Sequence, residues 1–201
     1  SPLSLPDSVF SGKQGSFPVP GIAVDQKHGL IYMSITTKLL KLDLSGKVVG
    51  SVTGFAGHLG DLAYDPATDR VYGSLEFKND AIGKGISKKL GLTNSNNIEF
   101  YIAIFDASRI VRPDMNEDKG GLLRTVYLKE VVEDYQAEVK EGDRTVQHRF
   151  GCSGIDGVTL GPSFGSSRDG KKYLYVAYGI YGDTTRTDND HQVILKYDIA
   201  G

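Results

Sequence analysis

The chain has 201 residues, a net charge of −2, 24% charged and 39% apolar residues, and 25 glycines. The glycine share, about 12% against a usual value near 7%, excludes a coiled coil or helix bundle, in which each interior glycine costs about 1 kcal/mol relative to alanine. The apolar share excludes a disordered chain, and glycines without a three-residue period exclude collagen.

The balanced charge carries no basic stripe. The nearest candidate, Lys84, Lys88 and Lys89, lacks interleaved aromatics, so no nucleic-acid partner is expected. No apolar run approaches the roughly 18 residues of a membrane span. The chain begins Ser-Pro rather than Met, which reads as a trimmed or mature form and carries the expectation of a secreted or periplasmic location. Cys152 is the only cysteine, so no internal disulfide forms. His58 and His148 are the available bases for a thiol nucleophile, but the Gly-Cys-Ser-Gly setting reads better as a tight turn.

In chain order, Ser8–Gly12 reads as an outer strand. Gly21-Ile22-Ala23-Val24-Asp25, a polar turn and Leu30–Ser34 then read as two antiparallel strands, followed by Leu39–Asp43 and Lys47–Val52. The pattern returns at Asp61-Leu62-Ala63-Tyr64-Asp65, Val71–Leu75, Tyr101–Asp106 and Gly121–Tyr127. A third copy runs through Gly157–Leu160, Tyr173–Tyr178 and Val193–Asp198 and stops before a fourth strand. Between copies two and three, Val131, Val132, Tyr135 and Val139 have helical spacing, which predicts one short amphipathic helix on the surface.

Four antiparallel strands per repeat predict an all-β fold of β-propeller blades, about three of them, with one short inserted helix. Blade one covers about 17–54 and blade two about 55–128, with an inserted loop at 77–97. The helical insertion covers about 129–149 and an incomplete blade three about 150–201. Three blades do not close a ring, since propellers have about four to eight. The chain therefore reads as a single propeller domain or part of one, with the rest of the ring supplied from outside it.

The "G-I-A-V-D … G-x-I-Y" strands and the "L-x-x-x-D-x-x-G" third strands resemble propellers of the NHL, SMP-30 and YVTN (YncE-like) kind. That resemblance implies architecture more than activity, because the superfold hosts unrelated functions. Strand direction puts the lead-in loops and the longest insertions on one face, which is the expected functional face. His58, Asp61, Arg149, Asp156, Tyr178 and His191 are the candidate ligand-binding residues on it. The expected ligand is a small molecule, a carbohydrate or a protein, and Tyr178, Tyr181 and Phe164 offer stacking surfaces for a sugar. The polar loop Asp183–His191 reads as solvated, since it lacks the spacing of a calcium loop.

By resemblance to SMP-30-like lactonases, Asp61 and Asp156 are candidate ligands for Ca²⁺ or another divalent ion, which would make the chain a lactonase- or esterase-type hydrolase. Hard cations take six or more oxygens, and no further ligand is identifiable. The alternative is that both aspartates accept backbone N–H bonds and hold turns. No Walker loop, H-E-x-x-H or CxxC occurs, and the absence of Trp removes the WD40 signature. The leading expectation is a binding or scaffold module.

Overall fold

The computed structural model describes residues 3–78, 84, 88, 98–116, 121–149, 154–165, 170–179, 186–187 and 192–200. Alternating apolar and polar residues make most of it β-structure. Sheet 1 is built from β1 (Gly21–Asp25), β2 (Leu30–Ile35), β3 (Lys38–Asp43) and β4 (Val48–Thr53), paired antiparallel in chain order. Sheet 2 repeats this with β5 (His58–Asp65), β6 (Arg70–Phe77), β7 (Glu99–Asp106) and, past the two-residue strand β8 (Met115–Asn116), β9 (Leu123–Tyr127). After a helix α1 (Lys129–Gln136) and a hairpin of β10 (Glu138–Glu141) and β11 (Arg144–Gln147), sheet 3 has three strands, β12 (Ile155–Gly161), β13 (Tyr173–Gly179) and β14 (Gln192–Asp198).

The period of two gives each sheet two usable faces. In sheet 1, Tyr32, Leu39 and Val52 face sheet 2 and pack on Val71, Ala103 and Phe105. In sheet 2, Tyr72, Phe100 and Ile102 face the other way and pack on Val158, Leu174 and Val176 of sheet 3. The remaining face of sheet 1, with Ile31, Met33, Ile35, Leu40 and Leu42, is covered by Val9 and Phe17 of the N-terminal segment. First strands are neighbours across both junctions, β1 against β5 and β5 against β12, whereas the outer strands make no comparable contact.

Aspartates end the strands and close the turns. Asp43 Oδ1 accepts from the Ser45 N–H and hydroxyl and from the Lys47 N–H. Asp106 does the same for Ser108, and Asp198 for the Ala200 N–H. This is the Asx-turn chemistry that suits aspartate to such positions. It explains the repeated aspartate at the end of each third strand.

Two sequence-based expectations are corrected. Ser8–Gly12 belongs to no sheet: the chain lies along sheet 1, and left-handed backbone at Gly12 and Gly15 (φ 79° and 76°) breaks the extension a strand would need. The predicted surface helix ends at Gln136, because Ala137 is already extended. Val139 lies in β10 opposite Val146, in a hairpin turned by Gly142 at φ 62°, and Val131 and Val132 are buried in the core between sheets 2 and 3. The two-residue β8 lies between two strands of sheet 2 in sequence yet pairs in parallel with β4 of sheet 1. The Ser51 N–H donates to Arg112 O and the Ser51 hydroxyl accepts from the Asp114 N–H, which ties this crossing down.

Two stacked tyrosines sit between sheets 1 and 2, with ring centroids 5.7 Å apart. The Tyr64 hydroxyl lies 3.0 Å from Asp25 Oδ2 and 2.8 Å from Asp69 Oδ1. The Tyr32 hydroxyl is fully buried and has no partner. Burial and the nearby Asp69 and Asp25 charges push its pKa far up, so it stays a neutral phenol. An unmade buried bond costs about 1–3 kcal/mol. Tyr32→Phe is therefore expected to leave stability unchanged or raise it by about 1 kcal/mol, while Tyr64→Phe lowers it by about 1–3 kcal/mol. Urea unfolding of the two variants checks this, and equal losses would contradict it.

Candidate functional site

All three sheets start at the same end of the molecule. That end also carries the Thr36–Thr37 turn, α1 and the β10–β11 hairpin, as the antiparallel order requires. Three of the candidate residues, His58, Arg149 and Tyr178, fall into two groups there, at the mouth between sheets 2 and 3.

The first group forms around Glu76, near the end of β6. Glu76 is buried at 8% exposure in a strand whose other central residues are apolar or small. Its Oε2 accepts the Ile155 N–H at 3.0 Å, while Oε1 lies 3.3 Å from Lys78 Nζ and 3.8 Å from His58 Nδ1. Burying a carboxylate is costly unless it is paired and hydrogen-bonded, and here it receives a cation and a backbone donor. Gly154 lets the chain approach: a Cβ there would stand 2.7 Å from Glu76 Oε2, and its φ of 140° disfavours other residues. His58 and Lys78 are thus gathered by one buried carboxylate that spans two sheets.

The second group forms around Asp134 on α1. Its Oδ2 accepts the Tyr178 hydroxyl at 2.8 Å, its Oδ1 lies 3.8 Å from Arg149 Nε, and its carbonyl accepts the Arg149 N–H. The His148 ring packs at a tilt against Tyr135, with centroids 4.2 Å apart, and its Nδ1 bonds the Tyr135 carbonyl. The buried Arg186 donates to the carbonyls of Gln147 and His148 and so anchors the end of β11. Glu141 on the hairpin accepts the Thr187 hydroxyl and N–H and pairs with Arg144. The Thr187 bonds, together with Arg144, hold the Glu141 carboxyl down to about 2, against an ordinary 4.5.

Asp61 and Asp156 lie on neighbouring first strands, β5 and β12. Each lies at a β-bulge, where the register of β5 shifts between Leu59 and Leu62 and that of β12 between Ile155 and Gly157. A bulge turns one residue out of the ladder. At Asp61 the two oxygens accept the Leu62 N–H at 2.9 Å and the Val158 N–H at 2.7 Å. Asp156 is exposed on the strand that Asp61 holds. Backbone donors thus reach both Asp61 oxygens, and the carboxylate ties β12 to β5. Among the described residues no group of three or more His, Cys, Asp or Glu side chains stands close enough to hold a metal ion.

His191, Cys152, Tyr181, Lys89, most of the 77–97 insertion and most of the Asp183–His191 loop lie outside the described residues. Phe164 is exposed and packs on Tyr175, with centroids 4.7 Å apart, on the far face of sheet 3 rather than near Tyr178. Glu76 and Asp134, the two organising carboxylates, escaped the sequence reading. An acidic residue closing an otherwise apolar strand was the available signal for Glu76. Asp134 had none, because its partners, Arg149 and Tyr178, come from two other segments of the chain.

No family model matches the chain, and no curated protein matches it. Among solved structures it is similar to the crystal structure of the Saccharomyces cerevisiae Sqt1, at 12% identity over 89% of this chain and 31% of that one, with a TM-score of 0.39. It is also similar to the computationally designed Ika4 protein, at 12% identity over 92% of this chain and 93% of that one, with a TM-score of 0.33. The chain thus spans about a third of the Sqt1 chain. Likenesses this distant assign neither a family nor a function.

Two outcomes are expected. Asp61→Ala removes a charged acceptor from two backbone donors and lowers stability by about 1.5–3 kcal/mol, read by urea unfolding. Glu141 has a folded pKa below its ordinary value, so its contribution is complete above pH 4.5 and is lost as pH falls toward about 2. Exchange protection of the Thr187 amide, corrected for intrinsic rate, falls through that window, and Glu141→Gln abolishes the step. Titration of Glu141 near 4.5 would contradict the bonding described.

Proposed function

We propose that the chain is a set of blades of a β-propeller of the NHL, SMP-30 or YncE-like kind. It works as a binding or scaffold module that engages its partner through the end where the sheets begin. The observation that carries this reading is the unequal treatment of the two ends. At the opposite end two of the hairpin turns, at Asp43 and Asp65, are short Asx turns. The starting end gathers α1, the hairpin and the side chains held by Glu76 and Asp134. Binding residues set on segments held by a rigid scaffold are the usual arrangement for recognition.

The propeller part of the reading is supported by the abutting first strands and the separated outer strands, the geometry of sheets radiating from an axis. It is also supported by equivalence among the second strands. Tyr32 and Ser34 in sheet 1, and Tyr72 and Ser74 in sheet 2, are buried on faces turned toward the next sheet. Tyr175 and Ala177 hold the same places in sheet 3, on a face that bears an open apolar groove with Phe164 and Ile194. A further sheet covering that face completes the pattern. An extracytoplasmic location accompanies the proposal. The metal-hydrolase reading has no comparable support, given how Asp61 is engaged.

Site-specific photo-crosslinking in cells that make the protein tests the binding face. A crosslinker at Asp143, on the exposed hairpin tip, is expected to give discrete adducts, and one at Lys47, at the opposite end, none. Adducts from Lys47 alone, or from neither, would overturn the reading. Calcium-dependent hydrolysis of a simple lactone by the purified chain, lost in Asp61→Asn, would restore the hydrolase alternative.

A further inference from the structure

His148 follows β11 with left-handed backbone, φ 69°. That conformation is uncommon for a residue with a side chain. It persists where the surroundings over-determine it, a condition concentrated at functional sites. The surroundings of His148 do so from several sides. Its N–H donates to the Ala137 carbonyl, and the N–H of Arg149 donates to the Asp134 carbonyl. Its own carbonyl accepts from the buried Arg186, and its ring packs against Tyr135. His148 and Arg149 are thereby pinned to one turn of α1, at Asp134 and Tyr135.

The ring's hydrogen bond fixes its chemistry. A carbonyl oxygen only accepts, so Nδ1 carries a proton and donates it to the Tyr135 carbonyl. In the neutral imidazole this leaves Nε2 as a lone-pair acceptor. His148 is partly buried, and Nε2 has no hydrogen-bond partner among the described residues.

Arg149 is held at its base and open at its end. Its Nε lies 3.8 Å from Asp134 Oδ1, and its side chain is 57% exposed. The two terminal nitrogens make no hydrogen bond among the described residues. Asp134 is itself fixed by the Tyr178 hydroxyl. A guanidinium placed this way presents a planar fork that fits two oxygens of a carboxylate or a phosphate. Because its base is already anchored, less side-chain freedom is lost on binding. A phosphate monoester suits the pair poorly. Its second pKa is about 6, so at pH 7.5 it is mostly a dianion with acceptors only, and these oppose the Nε2 lone pair. A carboxylate with hydroxyls on nearby carbons supplies both an anion for the fork and a donor for Nε2.

We propose that His148 and Arg149 form a binding site for a carboxylate flanked by hydroxyls, the chemistry of a uronic acid residue in an acidic saccharide. Arg149 takes the carboxylate on its fork, and His148 Nε2 accepts a hydrogen bond from a ligand hydroxyl. The strained backbone at His148 keeps the two side chains on the same turn of α1. The proposal rests on the reading that the starting end is the binding end, and it names the class of ligand for that end.

Titration calorimetry of the whole chain with a galacturonate trimer at pH 7.5 tests it. A Kd below about 1 mM is expected, with a neutral galactose trimer and inorganic phosphate each at least about tenfold weaker. Arg149→Lys keeps the charge but loses the fork and is expected to weaken binding about tenfold. His148→Asn suits left-handed backbone but lacks Nε2. It is expected to weaken the trimer about fivefold and to leave a carboxylate without hydroxyls, cyclohexanecarboxylate, unchanged. A role confined to stapling the hairpin onto α1 would move thermal stability and not that selectivity. In the wild-type chain the trimer is expected to shift the imidazole nitrogen resonance of Nε2 and leave that of Nδ1. No binding at about 10 mM, phosphate binding as tightly as the trimer, or an affinity unmoved by both substitutions would each overturn the proposal. Crosslinks from Asp143 without uronate binding would sink the ligand class alone, and the loss of both would sink the binding end with it.

Discussion

The arrangement depends on backbone meeting backbone where successive first strands touch. A Cβ on Gly21 would stand 2.4 Å from the Gly60 carbonyl oxygen and 2.8 Å from the Asp61 α carbon. No side chain fits between β1 and β5, and glycine is required there for space rather than for an unusual φ. Ser34 fixes the contact by donating to the Gly60 carbonyl at 2.6 Å. At the next junction the first strands are bridged instead by the Asp61 carboxylate, on the Val158 N–H. Close contact at this edge and bulky cores farther out let the sheets separate toward their outer strands. That separation leaves room at the starting end for α1 and for Glu76 to reach a backbone donor on sheet 3.

Polar groups buried between sheets serve this geometry more than they add stability. Lys41 spans sheets 1 and 2 to donate to the carbonyls of Ala107 and Ile110, and burial holds its pKa down despite the aspartates around it. Asp25 is nearly fully buried. Burial alone would raise its pKa, yet hydrogen bonds from His28 and Tyr64 outweigh that and lower it. Asp65 bonds its own turn and also pairs with Lys172 of the segment leading into β13. Lys172 is partly exposed, so solvent screening keeps that pair worth little. Its role is to set where sheet 3 lies, as Tyr64 does for sheet 1.

Much of this was legible in the sequence, and the divide follows range of interaction. Strands that alternate along a few residues, such as Ile31–Ile35 and Val71–Leu75, announce themselves, as do aspartates whose hydrogen bonds stay within four residues. What stayed hidden is set by partners far along the chain. The β8 strand exists because Val52 and Thr53 offer an edge more than 60 residues earlier. Val139 matched a helical period by coincidence, and Gly142 decided the matter by turning the chain back. The site divides the same way. The strand order puts His58, Arg149 and Tyr178 near the starting end. Glu76 and Asp134, which gather them, are identified only by what they touch across sheets.

The central claim is that the sheets radiate from their first strands rather than stack like slices. Electron–electron distances between spin labels test this most directly. Labels on Ile22 and Thr159, exposed on β1 and β12, report the first-strand spacing across three sheets. Labels on Lys47 and Lys196 report the outer spacing across the same sheets. The account predicts a distinctly shorter separation for the first pair. Equal separations, or a longer one between the first strands, would contradict it.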